Sequence, residues 1–190
     1  MAYRLPEQEE KEGTAASALY DTTHLDITRR YLESLPYMEA LIKNRLVKGK
    51  PEGETSRVWD DILHLCFPGG QCFSVGPEMT LGGGKADLFA AHFVLEPRLL
   101  EKKFLIVECK APGLESRDDI WLEAAGQLRI YLGGVRGTHR KFGAIAVGKC
   151  VRFYEWIDSD LQDIANGDIY WIDRQCKTVT EHLNYFRENC

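Results

Sequence analysis

No apolar run in the 190-residue chain approaches the ~20 residues that a helix needs to cross a bilayer, so a protein spanning the membrane by helices is excluded. The start, MAYRLPEQEEKEGT, lacks a basic opening followed by an apolar stretch, so no secretory signal is expected and the chain reads as intracellular, nuclear or cytoplasmic. None of the six cysteines, Cys66, Cys72, Cys109, Cys150, Cys176 and Cys190, forms a CxxC pair. A zinc ribbon therefore has little support, and reduced, mostly buried thiols are expected rather than a disulfide framework. Gly82-Gly83-Gly84-Lys85 lacks the spacing and the following Ser/Thr of a phosphate-binding P-loop. There is no Rossmann glycine pattern and no Ser-His-Asp grouping.

Strong positive charge is absent too. The chain holds 24 Lys+Arg against 29 Asp+Glu, a net charge of −5, which argues against a generally basic nucleic-acid coat protein. The acidity is concentrated at the ends. Residues 1–13 hold two basic and four acidic side chains, residues 153–190 three and eight, and residues 14–152 hold 19 and 17. The middle of the chain is free to present a basic face.

What remains is ordinary globular composition, 44% apolar and 28% charged, enough for one domain. Residues 1–18 read as a disordered arm and 19–190 as a single domain. A helix signal begins at Thr22–Thr23 and runs through Leu25, Ile27, Tyr31, Leu32 and Leu35. After Pro36 a second helix reaches about Val47. Thr55 or Ser56 is expected to cap a third, with Val58, Ile62, Leu65 and Cys66 on one face. Gln71–Leu81 reads as a strand interrupted at Gly76-Pro77, Lys85–Leu95 as a second, and Phe104–Val107 as a short strand buried on both faces. A long helix capped by Ser116 ends at Gly133-Gly134. Phe142–Val147 and Val151–Trp156 are expected to form a hairpin through Gly148-Lys149. The tail reads as a short helix near Ser159–Ala165, an aromatic stretch Ile169–Ile172 and a last helix near Thr178–Arg187.

Val107-Glu108-Cys109-Lys110 is the sharpest chemical feature. Glu108 and Lys110 are two apart at the end of a buried strand and so share a face. Burying an acid and an amine together is unfavourable unless they pair or hold a metal. Asp87, in Lys85-Ala86-Asp87-Leu88-Phe89, lies on the preceding strand, where an antiparallel pairing sets it beside Glu108. A divalent cation relieves the repulsion of two such carboxylates, and hard oxygen ligands suit Mg²⁺ or Mn²⁺. The plain alternative is a surface ion pair.

With these residues in order, the chain resembles the PD-(D/E)XK nuclease superfamily, whose restriction-endonuclease-like core is αβββαβ with a mixed sheet flanked by helices. That order is the one read over about residues 54–148, with N-terminal helices and a C-terminal extension outside it. Asp87 and Glu108-Cys109-Lys110 match the family motif, with Ala86 where the family often has Pro. The resemblance implies metal ligation by Asp87, Glu108 and the Cys109 carbonyl, with Lys110 assisting the nucleophile. Gly126-Gln127-Leu128-Arg129-Ile130-Tyr131 is similar to the QxxxY helix of the RecB and lambda-exonuclease branch, where the glutamine reaches the active site or the DNA. An amphipathic core helix explains the same spacing.

A further acid is expected from the first core helix. Glu54 is the choice, with Asp60 and Asp61 as rivals and a solvated first-turn glutamate as the plain reading. Tyr131, Arg136, Arg140 and Lys141 are expected to meet substrate. Arg136, His139, Arg140 and Lys141 form one basic cluster, and Lys43, Arg45, Lys48 and Lys50 another. His64 reads as a hydrogen-bonded core histidine, although some RNA endonucleases of this fold use a helical histidine as a ligand. The expected function is metal-dependent hydrolysis of phosphodiester bonds, in DNA before RNA. The rivals are an RNA endonuclease and a non-catalytic interaction module on the same fold, with a protein partner or a second copy as its target.

Overall fold

The computed structural model describes residues 30–81, 84–95 and 97–190. The expected arm, the helix start at Thr22–Thr23 and the turn at Gly82-Gly83 lie outside the described residues.

Helices α1 (Tyr31–Ser34), α2 (Met38–Arg45) and α3 (Gly53–Cys66) come first. Strands β1 (Phe73–Leu81), β2 (Gly84–Val94) and β3 (Leu100–Lys110) follow, then α4 (Asp118–Gly134). After it come β4 (Phe142–Val147), β5 (Cys150–Ile157), β6 (Asp160–Asp163), β7 (Tyr170–Trp171) and α5 (Cys176–Glu188). The strands form one mixed seven-stranded sheet in the order β1-β2-β3-β4-β5-β6, with β7 also on β5. Every pairing is antiparallel except β3 with β4, which are parallel. A parallel neighbour requires a crossover, and α4 supplies it. Among the described residues no helix is long and apolar enough to cross a membrane.

Each face of the sheet has its own core. One joins Trp59, Ile62 and Leu63 of α3 to Leu105, Val107 and Cys109 of β3 and to Leu183 and Phe186 of α5. The other joins Trp121, Ala124, Leu128 and Leu132 of α4 to Ile106, Ile145 and Val147. Strand β4, FGAIAV, is buried at every position, as a strand covered on both faces must be. The first core is closed by both ends of the chain: the buried Tyr31 hydroxyl donates to the Ile172 carbonyl.

Several expectations need correction. The residues near Ser159–Ala165 form strand β6, not a helix. Asp158 and Ser159 take φ of 51° and 64°, the left-handed pair that a two-residue hairpin demands, and Ile157 pairs with Asp160 across them. The Asp-Ser pair that looked like a helix cap is a turn. Ser116 caps nothing: Arg117 holds the N-cap position of α4 without a side-chain bond. Helix α3 starts at Gly53, earlier than a Thr55 or Ser56 cap allows. Strand β1 runs through Gly76-Pro77, since an edge strand tolerates a proline, and its distortion falls at Glu78, with φ of 42°. Strand β3 is much longer than Phe104–Val107. Its polar start, Leu100–Lys103, pairs with β2 but extends beyond β4, which covers only Leu105 onward.

Candidate functional site

The end of β3 holds the densest buried charge among the described residues. Alternation along the strand sends Leu105, Val107 and Cys109 toward α3 and Ile106 toward α4. Glu108 and Lys110 continue the α4-facing set and are both buried. Lys110 Nζ donates to Glu108 Oε1 at 2.7 Å, while Glu108 Oε2 is buried without a partner. The strand end is fixed from the other face. The Lys110 carbonyl accepts from Thr55 Oγ1 at 2.9 Å and from the Gly148 amide at 3.2 Å. Thr55 therefore ties α3 to the site, which explains why its hydroxyl does not cap the helix.

Asp87 reaches the same place by a fault in β2. Ala86 packs in the α4-side core, yet Leu88, two residues on, packs in the α3-side core. A regular strand would send both to one face, so the alternation slips at Asp87. The partner strand is irregular there too: β1 pairs Pro77 with Leu88 and Met79 with Ala86, skipping Glu78 and its φ of 42°. The β2–β3 ladder runs only as far as Leu88 and Val107. Beyond it, Asp87 Oδ2 accepts the Cys109 amide at 2.7 Å, replacing the lost ladder carbonyl with a carboxylate. Irregularities of this kind re-aim side chains beside sites.

Burial dominates the electrostatics. It pushes the Glu108 carboxyl up to about 7, against the lowering effect of the Lys110 bond, with Asp87 and Glu52 adding to the rise. Burial also raises Asp87, partly offset by the Cys109 amide and Lys110. For Lys110 burial acts downward, but the Glu108 bond and the charges of Glu108, Glu52 and Asp87 prevail and hold it above the ordinary lysine value. The amine is charged and paired with Glu108. The acids outnumber it.

The further acid within electrostatic reach of this group is Glu52, whereas Glu54 meets Arg45 and leaves its Oε2 buried without a partner. Burial raises Glu52, which lies within electrostatic reach of Lys110, Asp87 and Glu123. Glu54 faces Arg45, with Oε1 3.3 Å from Nη1. Two residues apart on a helix are about 200° around its axis, so only one of the two can face the site. Pro51 is the signal that would have found Glu52. A proline favours the first turn of a helix, and here the Glu54 amide donates back to the Pro51 carbonyl. Of the rivals, Asp60 lines the groove described below, and Asp61 lies beside Tyr37, whose hydroxyl is raised first by burial and then by that carboxylate.

Helix α4 covers the other side. Glu123, Gln127 and Tyr131 follow at four-residue intervals on one face. Gln127 Oε1 is buried without a partner. Tyr131 is buried, and its hydroxyl is raised by that burial and then by the charges of Glu108 and Asp87. A Cβ at Gly84 would lie 2.7 Å from the Tyr131 ring, so β2 meets α4 closely only because that residue is glycine. Glu123 and Glu52 went unrecognised in the sequence as members of this group.

The second basic cluster is elsewhere. Phe142 pairs with Leu105, five residues before Lys110, so Arg140 and Lys141 lie about 16 Å along the sheet from the acids. Arg140 bonds both Glu155 oxygens, at 2.7 and 2.8 Å, and stacks between Phe142 and Tyr185. Lys141 is buried and donates to the Val135 carbonyl. Arg136 lines a separate cleft with Thr80, Glu101 and Lys103. None of the three reaches the Asp87–Glu108 group. His64 is not a core residue: it is more than half exposed, with Nδ1 2.9 Å from the Asp60 carbonyl.

A groove of about 710 Å³ opens beside Asp87, walled by Glu52, Ser56, Arg57, Asp60 and His64 of the α3 region and floored by Val75, Pro77 and Leu88. Among the described residues no three His, Cys, Asp or Glu side chains converge as a ready-made metal cage. The strand end brings together two acidic side chains, Asp87 and Glu108. No protein family, curated protein or solved structure matches the chain.

Proposed function

We propose that the protein is a metal-dependent nuclease that hydrolyses phosphodiester bonds in DNA, built on a restriction-endonuclease-like core. The observation that carries this reading is the group Asp87, Glu108 and Lys110 at the end of β3, with an orphaned carboxylate oxygen and more acid than base. Glu108 Oε2, buried beside Asp87 without a partner in the chain, is an acceptor that a ligand can meet. The run of elements α3-β1-β2-β3-α4-β4 is the order expected of that core.

The donor chemistry fits Mg²⁺ or Mn²⁺. Both take hard oxygens, and Mg²⁺ typically uses one or two carboxylates and keeps several waters, so a three-residue cage is not required. Asp87, Glu108 and the Cys109 carbonyl would hold the ion. When bound, it supplies charge to an attacked phosphate and lowers the pKa of a water. The chain's own residues do the rest. Lys110, charged and held by Glu108, is placed to turn toward a water or a phosphate oxygen once its partner is otherwise engaged. Gln127 offers an amide to the same space, and Tyr131 closes it against solvent. Thr55 holds the strand end so that these groups keep their positions.

The test is cleavage of single- and double-stranded DNA, and of matched RNA, with Mg²⁺ or Mn²⁺, by the wild type and Lys110→Ala. Cleavage that needs metal and disappears in the variant is expected. A wild type that cleaves nothing, or a variant as active as the wild type, overturns the reading. RNA cut in preference to DNA would reassign the substrate.

A further inference from the structure

The cations of the chain fall into two groups. Away from the site most are matched to acids: Arg117 to Asp119, Arg129 to Asp160, Arg140 to Glu155, Lys149 to Asp173 and Lys177 to Glu181. Between residues 43 and 57 the pattern changes. Arg45 pairs with Glu54, but Lys48, Lys50 and Arg57 are exposed and take part in none of the ion pairs among the described residues. A cation already matched to a carboxylate has little left for a phosphate, and an unmatched one keeps its full charge.

These three side chains border the acids. The loop from α2 to α3 lies on the loop that leaves β3: a Cβ at Gly113, three residues past Lys110, would come within 2.8 Å of the Lys48 Cα. Only glycine fits there, and its φ of +86° suits no other residue. Lys50 is two residues before Glu52, which feels the charges of Lys110 and Asp87. Arg57, one turn into α3, walls the groove that contains Asp87. The centre itself sets Glu52, Asp87 and Glu108 against Lys110, so an anionic strand is repelled unless its flanking phosphates find cations.

We infer that Lys48, Lys50 and Arg57 are the phosphate-contacting rim of the site, and that a DNA strand lies over the α2–α3 loop with its backbone against them. This rests on the nuclease reading and gives that reading its binding surface. It also moves substrate contact away from Arg140 and Lys141, whose donors are spent inside the protein. The rim residues are positioning residues: they hold the strand and do not touch the reacting atoms.

The experiment measures binding of a fluorescent DNA oligonucleotide to the full chain, with Ca²⁺ in place of Mg²⁺, from low to moderate salt. The triple variant Lys48→Ala/Lys50→Ala/Arg57→Ala is expected to bind at least tenfold more weakly at low salt. The slope of log affinity against log salt should shrink by roughly 2 to 3, since each phosphate contact contributes about 0.7 to 0.9. Lys102→Ala/Lys103→Ala removes charge at the opposite end of β3, five or more residues or about 16 Å from Glu108, and should change affinity less than twofold. A folded triple variant with unchanged affinity and slope, or an equal loss in the distant control, overturns the inference. Mn²⁺ calorimetry separates this from failure of the reading beneath it. If the wild type takes up Mn²⁺ and cleaves DNA while the triple variant binds DNA normally, only the rim is wrong. If the wild type neither takes up Mn²⁺ nor binds DNA, both fall.

Discussion

Two ion pairs sit toward opposite ends of the same sheet, and they differ in whether their atoms are satisfied. At the β4 end Glu155 is buried, and both its oxygens accept from Arg140. Arg140 also bonds Tyr185 and Asn189 and lies against two rings. At the β3 end Glu108 is buried to a similar degree but makes one bond, to Lys110, and its second oxygen has none. Gln127 is also left with an orphaned oxygen, and Asp87 and Glu52 add charge nearby. The first pair completes itself and pins α5 to the sheet. The second is incomplete, so it stores an unmet demand for a cation or a donor. The two pairs differ little in burial and differ in whether both carboxylate oxygens are partnered.

The contrast can be broken by exchanging what each pair loses. Lys110→Met should cut cleavage by about 10²- to 10⁴-fold, the range for a group that assists proton transfer or charge stabilisation, while Mn²⁺ uptake persists in calorimetry. A full loss of Mn²⁺ uptake in that variant would make Lys110 structural. Glu155→Ala should do the reverse. Thermal melting should report a loss of about 2 kcal/mol, below the roughly 3–5 kcal/mol of a fully buried pair because Arg140 is partly exposed, with Mn²⁺ uptake intact.

A pH series sharpens the comparison. Glu108 is raised in the folded protein to about 7, so between its unfolded value near 4.5 and about 7 the folded state holds the extra proton. Stability of the metal-free protein must then fall as pH rises through that window, by roughly 1–3 kcal/mol. In Glu108→Gln the slope should shrink to the part that Asp87 and Glu52 contribute, and denaturant melts in EDTA from pH 4 to 8 decide it. The smallest effect belongs to Asp87→Asn. It relieves carboxylate repulsion and keeps an oxygen for the Cys109 amide, so the protein in EDTA should gain about 1 kcal/mol or less, while Mn²⁺ uptake is lost. A clear drop in melting temperature in EDTA would make Asp87 a structural partner.

The legible part of the molecule is the part where local pattern and tertiary demand agree. Phe142–Val147 is apolar throughout because both faces are covered, and its bounds could be read directly from the sequence. That Glu108 and Lys110 share a face of β3, and Gln127 and Tyr131 a face of α4, was legible from strand and helix spacing, whereas Asp87 meets them only through the slip in β2. Glu52 was not, because the helix start depends on Pro51 and on a Thr55 hydroxyl that is spent on Lys110 rather than on capping. The Asp158–Ser159 turn was misread because the same two residues serve as a helix cap or as a left-handed turn, and only the neighbouring strand decides which. Arg140 and Lys141 were misassigned because sequence reveals charge but not the acid already holding it.

The bond from Tyr31 to the Ile172 carbonyl has a consequence for how the chain is made. The core under α3 draws on residues before the sheet and on Val179, Leu183 and Phe186 after it. A ribosome releases the first part long before the last, so the part of this core that meets α5 stays uncovered until α5 emerges, even after the strands have covered the rest of α3. Thr55, which holds the end of β3 in place, lies on α3. A chain cut before α5 therefore carries every acid of this group on a core left open on its α3 side.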